Sequence, residues 1–422
     1  MMRVFALAIV VLLSSCGSPS APPEQRAPDW RTEQLEDLQR AAVEGADGLR
    51  PPAESVARLA ELQALHASDG RHSRELDEAA SDLFRQLAEA HARGAVDPAA
   101  VDADWHIERP GPPDYDALNE QLAAGGLPST LLRQLGPNST EYIALRTELR
   151  RLQAEEPDSP HIPQLRANLE RWRWLARALP TRRIEVRIAE YALVLHRPDQ
   201  APQRHAVIVG ARRTPTPIFA AETESVTLNP SWTPPRNIVL NELVPRFSRD
   251  PAAAAREGYD VLDASGRTID PTSVNWSARP FRYQLRQRPG AGNALGRIRF
   301  DLPNPFAVYL HDTPNKDLFT RDLRALSHGC VRVEAPVALA AATTPAWTED
   351  ELRTQIEAGA TRALPLPEPM PVYFLYLTTG LTPEGEILYL DDIYGRDQAI
   401  VAALDGAAET ARLAERGDEC AP

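Results

Sequence analysis

The side chains best suited to chemistry lie in two short runs, Tyr309-Leu310-His311-Asp312-Thr313-Pro314 and Ser327-His328-Gly329-Cys330-Val331-Arg332-Val333. The thiolate is the attacking form of a cysteine, and an ordinary thiol is mostly protonated at neutral pH, so Cys330 needs a base. A histidine beside it can take the proton or hold an ion pair with the thiolate. Gly329 lets the backbone approach a reacting carbonyl with no side chain in the way. The N–H groups around Gly329 and Cys330 could then steady the oxyanion that forms. Arg332 offers a permanently charged, fork-shaped donor set suited to a substrate carboxylate. Together these residue types point to acyl transfer through a thioester on Cys330. Two histidines compete for the role of base. His328 is two residues from Cys330 and on a strand would share its face. His311 stands nineteen residues upstream (330 minus 311), a gap that adjacent segments of one sheet can close. Spacing does not choose between them. A structural zinc would want four ligands in tight pairs, and no second cysteine pair exists. No metal or cofactor is expected. An inert thiol in a buried turn is the bland alternative.

Elements of two kinds must position these runs. From about Pro28 to Pro180 the pattern is helical. Leu76, Ala80, Leu83 and Leu87 recur at helical spacing after Ser73, a plausible N-cap. Leu59, Leu62 and Leu65 form a second stripe, and Leu145, Leu149 and Leu152 a third. All three read as core. A last helix is expected over Leu165 to Leu179, stopped by Pro180, with Trp172 and Trp174 in its interior face. Then the period changes. Ile184, Val186 and Ile188 alternate with charged residues, and Ala206-Val207-Ile208-Val209-Gly210 is a short apolar run closed by glycine, both strand-like. Strands are expected to recur as far as Tyr394, including Val372 to Leu377 and a hairpin through Pro383-Glu384-Gly385 to Ile387–Leu390. A helix is expected over Ile400 to Leu413. The fold class is α+β, a helical domain over residues 29–180 followed by a mainly β domain over 181–396 and a C-terminal helix and tail over 397–422.

The chain has 422 residues, 43% hydrophobic and 25% charged, enough for two or three domains. Its net charge of −13 argues against a nucleic-acid partner, which demands a basic face. Three cysteines, Cys16, Cys330 and Cys420, do not make a disulfide framework. Cys420 reads as a free surface thiol. Arg3 followed by the apolar run Val4 to Leu13 forms a signal segment too short to span a bilayer. Leu13-Ser14-Ser15-Cys16 resembles a lipobox, which implies a signal peptide over 1–15, a lipidated Cys16 and a Ser- and Pro-rich tether over 16–28. The expected location is the periplasm, on a lipid anchor in the outer rather than the inner membrane.

The run from Tyr309 through His311-Asp312-Thr313-Pro314-Asn315 to Ser327-His328-Gly329-Cys330-Val331-Arg332-Val333 resembles the signature of the L,D-transpeptidases (the YkuD-type catalytic domain). The likeness extends to Arg166–Leu175, Thr216-Pro217, Leu228–Trp232, Ile269-Asp270-Pro271 through Val274–Ser277, and Asn293–Arg297, the pattern of the large Gram-negative members. The resemblance implies a β-sandwich-like catalytic domain, closed on itself, with a capping subdomain over about 229–290. It implies Cys330 as nucleophile and His311 as base, oriented by a group at Asp312, often a backbone carbonyl. Ser327, His328 and Gly329 are then supporting residues of the oxyanion loop, and Arg332, Tyr309 and Trp232 lie on the substrate side. The implied partner is a peptidoglycan tetrapeptide stem. Cys330 displaces D-Ala, and the amine of a second stem takes the acyl group as a 3→3 cross-link. Water as acceptor would make a carboxypeptidase, cleavage of existing links an endopeptidase, and loss of chemistry a wall-binding lipoprotein. One departure stands out. Large relatives often carry a peptidoglycan-binding module before the Arg166–Leu175 helix, and only Gln153 to Pro163 separates that helix from Leu152 here.

Overall fold

The computed structural model describes residues 29–44, 47–50, 52–69 and 73–406. Cys16, Cys420, the signal segment and the tether lie outside them. The helical half opens with α1 (Thr32–Glu44), α2 (Ala53–Asp69) and α3 (Arg74–Arg93). The α3 helix starts where Ser73 Oγ accepts the Leu76 N–H at 3.2 Å, which satisfies one orphan donor of the first turn. Its stripe Leu76, Ala80, Leu83 and Leu87 is buried against Leu35, Leu38, Leu59, Leu62 and Phe84. Each such leucine, fully buried, contributes about 1.5–3 kcal/mol. Leu65, expected in the core, is instead 55% exposed. Steps of three fall short of a 3.6-residue turn, so Leu65 has rotated well away from the face that Leu59 presents. After α4 (Pro98–Val101), the helices α5 (Tyr115–Ala123) and α6 (Pro128–Leu135) close this core with Leu118, Leu122, Leu131 and Leu132.

The next two helices, α7 (Thr140–Glu155) and α8 (His161–Arg173), belong to a different core. Tyr142, Leu145, Leu149, Leu152, Leu169, Trp172 and Trp174 pack with the strands that follow. Among the long helices the change of core thus falls between α6 and α7, with Leu49, Val96 and Trp105 from earlier loops joining the second core, while the change of sequence period falls near residue 180. The α8 helix also ends earlier than Leu179. The Trp174 N–H is shared between the Glu170 and Arg171 carbonyls, and the Leu175 N–H reaches back three residues to Trp172, which tightens the last turn and releases the chain toward the sheet. No helix among the described residues is long and apolar enough to cross a membrane.

The strands that follow are β1 (Arg183–Arg187), β2 (Ala192–His196), β3 (Gln203–Gly210), β4 (Phe219–Leu228), β5 (Tyr259–Leu262), β6 (Thr268–Ile269), β7 (Gln284–Gln287), β8 (Ile298–Asp301), β9 (Leu310–His311), β10 (Ala325–Ser327), β11 (Val331–Val333) and β12 (Arg362–Leu375). Eight of them run in the order β3-β11-β9-β8-β4-β12-β1-β2, and β2 pairs back onto β3, so the sheet closes on itself; β10 adds to β3. Closure removes free edges. Alternation does the rest. Val331, Val333, Leu310, Ile298, Phe300, Val226 and Leu228 fill the inside, so their strand neighbours Arg332, His311, Arg299 and Thr227 share the outer face. The β12 strand begins ten residues before the expected Val372. Of its prolines, Pro367 and Pro369 fall in a register shift between Pro365 and Met370, while Pro365 and Pro371 pair with β4 and β1 pairs only with Val372–Leu375.

Between β4 and β8 a separate small core forms the cap. A helical run over Arg236–Arg249, with a π-helical turn at Val239–Leu243, packs Val244, Phe247, Trp276 and Phe281 on the sheet β6-β5-β7. The hairpin Thr379–Leu381 with Ile387–Tyr389 and a helix over Asp397–Leu404 complete the described chain. The remainder of the expected Ile400–Leu413 helix lies beyond it.

Candidate active site

Sheet register brings the two sequence runs together. In the parallel pair β9–β11, Leu310 faces Val331 and His311 faces Arg332, while β8 sets Arg299 on the other side of His311. The Val331 N–H donates to the Tyr309 carbonyl at 3.0 Å, which brings Cys330 to the Tyr309 end of β9. His311 is 4% exposed. Its Nδ1 lies 2.5 Å from the Asp312 carbonyl oxygen. A carbonyl can only accept, so Nδ1 carries the hydrogen and Nε2 keeps its lone pair. That is the tautomer a general base requires. The backbone at 312 is held in turn. Asp312 Oδ2 accepts the Arg297 N–H at 2.8 Å, and Lys316 Nζ pairs with Oδ1 at 2.7 Å. Gly296 lies against this carboxylate so closely that a Cβ would fall 2.4 Å from it, at a φ of +61°.

Electrostatics set the resting proton positions. Burial, and then the Arg332 charge, push the His311 imidazole down to about 4, against a partial opposing pull from the Asp312 carbonyl. Burial pushes the Cys330 thiol above its ordinary range, opposed by the Tyr309 backbone and by Arg332. The resting pair is therefore thiol and neutral imidazole. The Sγ donates weakly to the Ala307 carbonyl at 3.6 Å. Ala307 adopts a φ of +54°, uncommon for a residue with a Cβ. Asn304 fixes that turn: its Oδ1 accepts from the N–H groups of Phe306 and Val308, and its Nδ2 donates to the carbonyls of Leu302 and Val308.

The loop over residues 327–330 is equally constrained. Ser327 Oγ donates to the Cys330 carbonyl at 2.5 Å and accepts the Gly329 N–H at 3.1 Å. The Gly329 N–H is thus engaged, and Gly329 holds a φ of +110°. Arg332 is half-buried, and among the described residues its guanidinium has no hydrogen bond or ion pair; burial lowers its pKa. Tyr309 lies under the Arg299 guanidinium, 5.2 Å from its ring centre. His328 points the other way. Its Nε2 meets Glu242 Oε1 at 2.6 Å, which ties the loop to the π-helical turn of the cap. Trp232 sits at the neck of the cap, exchanging backbone bonds with Gln287 at 2.9 and 2.7 Å, its ring beside Tyr259. Its contacts lie within the cap. A cleft of about 540 Å³ opens between cap and barrel, lined by Arg246, Tyr259, Arg288, Asn293, Pro314 and Asn315.

Sequence reasoning did not reach Glu242, Ala307 or Asn304. Glu242 lies 86 residues from its partner (328 minus 242) with no motif around it. The Asn304-Pro305 pair was a turn signal that could have drawn attention to that loop.

Residues 181–356 match the family of L,D-transpeptidase catalytic domains (YkuD), and residues 24–149 match a family described as a scaffold domain. A protein of Haemophilus influenzae, named as an L,D-transpeptidase, is 37% identical over 220 residues, which cover 51% of this chain. The match spans 45% of that relative's length. The closed, mainly β unit thus matches the L,D-transpeptidase (YkuD) catalytic domain, and the helical region ahead of it matches the scaffold domain.

Proposed function

We propose that the protein is an exported L,D-transpeptidase that joins peptidoglycan stems by 3→3 cross-links through a thioester on Cys330. The observation that carries the reading is His311, buried and neutral, with its Nδ1 held by the Asp312 carbonyl. Arg332, an unpaired cation beside it, suits a carboxylate of the donor stem. His311 takes the thiol proton as Sγ attacks the carbonyl of the third stem residue. The tetrahedral intermediate collapses, the D-Ala amine leaves with the proton from His311, and a thioester remains. A side-chain amine of a second stem, losing its proton to His311, then displaces Cys330 and forms the cross-link. Lipidation of Cys16, a periplasmic location and anchoring in the outer membrane belong to the same proposal. Only a short connection joins α7 to α8, so substrate docking falls to the helical half, the cap or the tether.

The test is incubation of the soluble body with disaccharide-tetrapeptides and mass spectrometry of the products. Dimers with loss of D-Ala and a Cys330 acyl adduct are expected. Hydrolysed monomers alone would assign a carboxypeptidase, and release of monomers from dimers an endopeptidase. Product formation that survives Cys330→Ala would overturn the nucleophile.

A further inference from the structure

A buried hydrogen-bond ring lies behind the oxyanion loop. Thr216, fully buried, accepts the Gly210 N–H on Oγ1 at 2.9 Å and donates that hydroxyl to the Gly329 carbonyl at 2.8 Å. The assignment has one solution, because a hydroxyl has one proton and the N–H cannot accept it. The Thr216 N–H donates to Tyr394 Oη at 3.2 Å, and Tyr394 donates to the Gly210 carbonyl at 2.7 Å. Gly210 has no room for a side chain here, since a Cβ would meet the Thr214 carbonyl at 2.3 Å.

The consequence for the site follows from peptide geometry. The Gly329–Cys330 bond is trans, so its C=O and N–H point in opposite directions. Thr216 draws the C=O inward, and the Cys330 N–H is thereby aimed away from it. Among the described residues that N–H has no acceptor. The neighbouring Gly329 N–H is occupied by Ser327. We propose that Thr216 is a positioning residue that aims the Cys330 N–H as the oxyanion donor, with Tyr394 and the Asp104–His106 connector bracing it. The proposal rests on the reading of Cys330 as an acylated nucleophile.

The brace reaches into the helical half. Ile218, two residues past Thr216, exchanges backbone bonds with Asp104 and His106 at 2.9 and 2.7 Å. Arg396 lies over the Tyr394 ring at 5.0 Å and pairs with Asp102 at 3.3 Å and with Asp104. The helical half thereby supports the segment that sets the oxyanion donor, a role beyond docking.

Two reagents separate positioning from general damage. With p-nitrophenyl acetate, the Cys330 sulfur forms a bond to the acyl carbon, p-nitrophenolate leaves with the bonding pair, and the thiol proton passes to His311. An oxyanion forms on the way. Iodoacetamide alkylates the same sulfur by displacement of iodide, with no oxyanion. In the full chain, Thr216→Val should slow acylation on the order of 10–100-fold. Its alkylation rate should stay within about twofold of wild type, because alkylation needs no oxyanion donor. Thr216→Ser, which keeps the hydroxyl, should restore acylation. Tyr394→Phe should show the same selective loss and serves if Thr216→Val does not fold. Equal acylation in variant and wild type, or equal losses with both reagents, overturns the proposal. Wild type that acylates with the ester yet leaves tetrapeptide stems untouched overturns the functional reading instead.

Discussion

Between pH 5 and 8, Cys330 is expected to stand as a thiol beside a neutral imidazole, and alkylation kinetics test it. Lowering His311 from 6.5 to about 4 costs its protonated form about 3 kcal/mol relative to water. At pH 7 the imidazolium is then populated on the order of one part in a thousand. The thiol is also raised, so both halves of a thiolate–imidazolium pair are disfavoured. The pH dependence takes one sign. The thiolate fraction, and with it the iodoacetamide rate, should rise about tenfold per pH unit from 5 to 8.5 without a plateau. His311→Ala should change that rate little, because the imidazole is not what holds the thiolate. The same variant should slow acyl transfer by roughly 10²–10⁴, the usual yield of a general base. Labelling is read by mass spectrometry of the Cys330 peptide. A flat alkylation rate between pH 5 and 8, abolished by His311→Ala, would show a pre-formed ion pair and refute the electrostatic reasoning.

Gly296→Ala places a Cβ within 2.4 Å of the Asp312 carboxylate at a φ of +61°, and should lower stability by about 1–3 kcal/mol. It should also cut activity more than Tm predicts, because the His311 support moves; turnover equal to wild type would count against that link. Arg332→Gln removes an unpaired cation and should raise KM for tetrapeptide stems while lifting the His311 pKa, read as a shift of the acid limb of kcat/KM to higher pH. Glu242→Ala breaks the His328 tie and should speed hydrogen exchange in the Val239–Leu243 turn; unchanged exchange would mean the contact does not hold the cap. His91 is buried beside Arg173, Arg146 and Arg150 and is pushed down to about 3, burial being the larger cause. Below pH 6.5 the unfolded chain therefore binds a proton that the folded one refuses, so stability falls as pH drops, by about 2 kcal/mol at pH 5. His91→Gln should flatten Tm between pH 7.5 and 5, and an equally steep fall would exclude this site as the cause.

Local chemistry made much of the molecule legible from residues alone. The Ser73 cap, the Leu76–Leu87 stripe, the alternation at Ile184–Ile188 and the turn at Pro383–Gly385 each carry their cause within a few positions. Less local features misled. Leu65 looked like a continuation of a stripe and is solvent-facing. The β12 strand starts well before Val372, through a proline-rich stretch interrupted by a register shift, and α8 stopped before its proline because backbone bonds to residues three back tightened its last turn.

For the site, the sequence by itself determined the reactive set: a thiol, a cation and one candidate base within a few residues, and a second candidate base nineteen residues upstream. Spacing could not rank the histidines, because rank depends on which strand lies beside which. The family pattern favoured His311, and the β9–β11 register sets it against Arg332 while His328 turns to Glu242 in the cap. Only the tertiary structure decided the tautomer of His311, the occupied N–H of Gly329 and the Thr216–Tyr394 ring behind Cys330. The physical reason is the same in each case. A hydrogen bond is a relation between groups far apart in the chain, and burial, which sets the proton positions, exists only once the chain has closed around them.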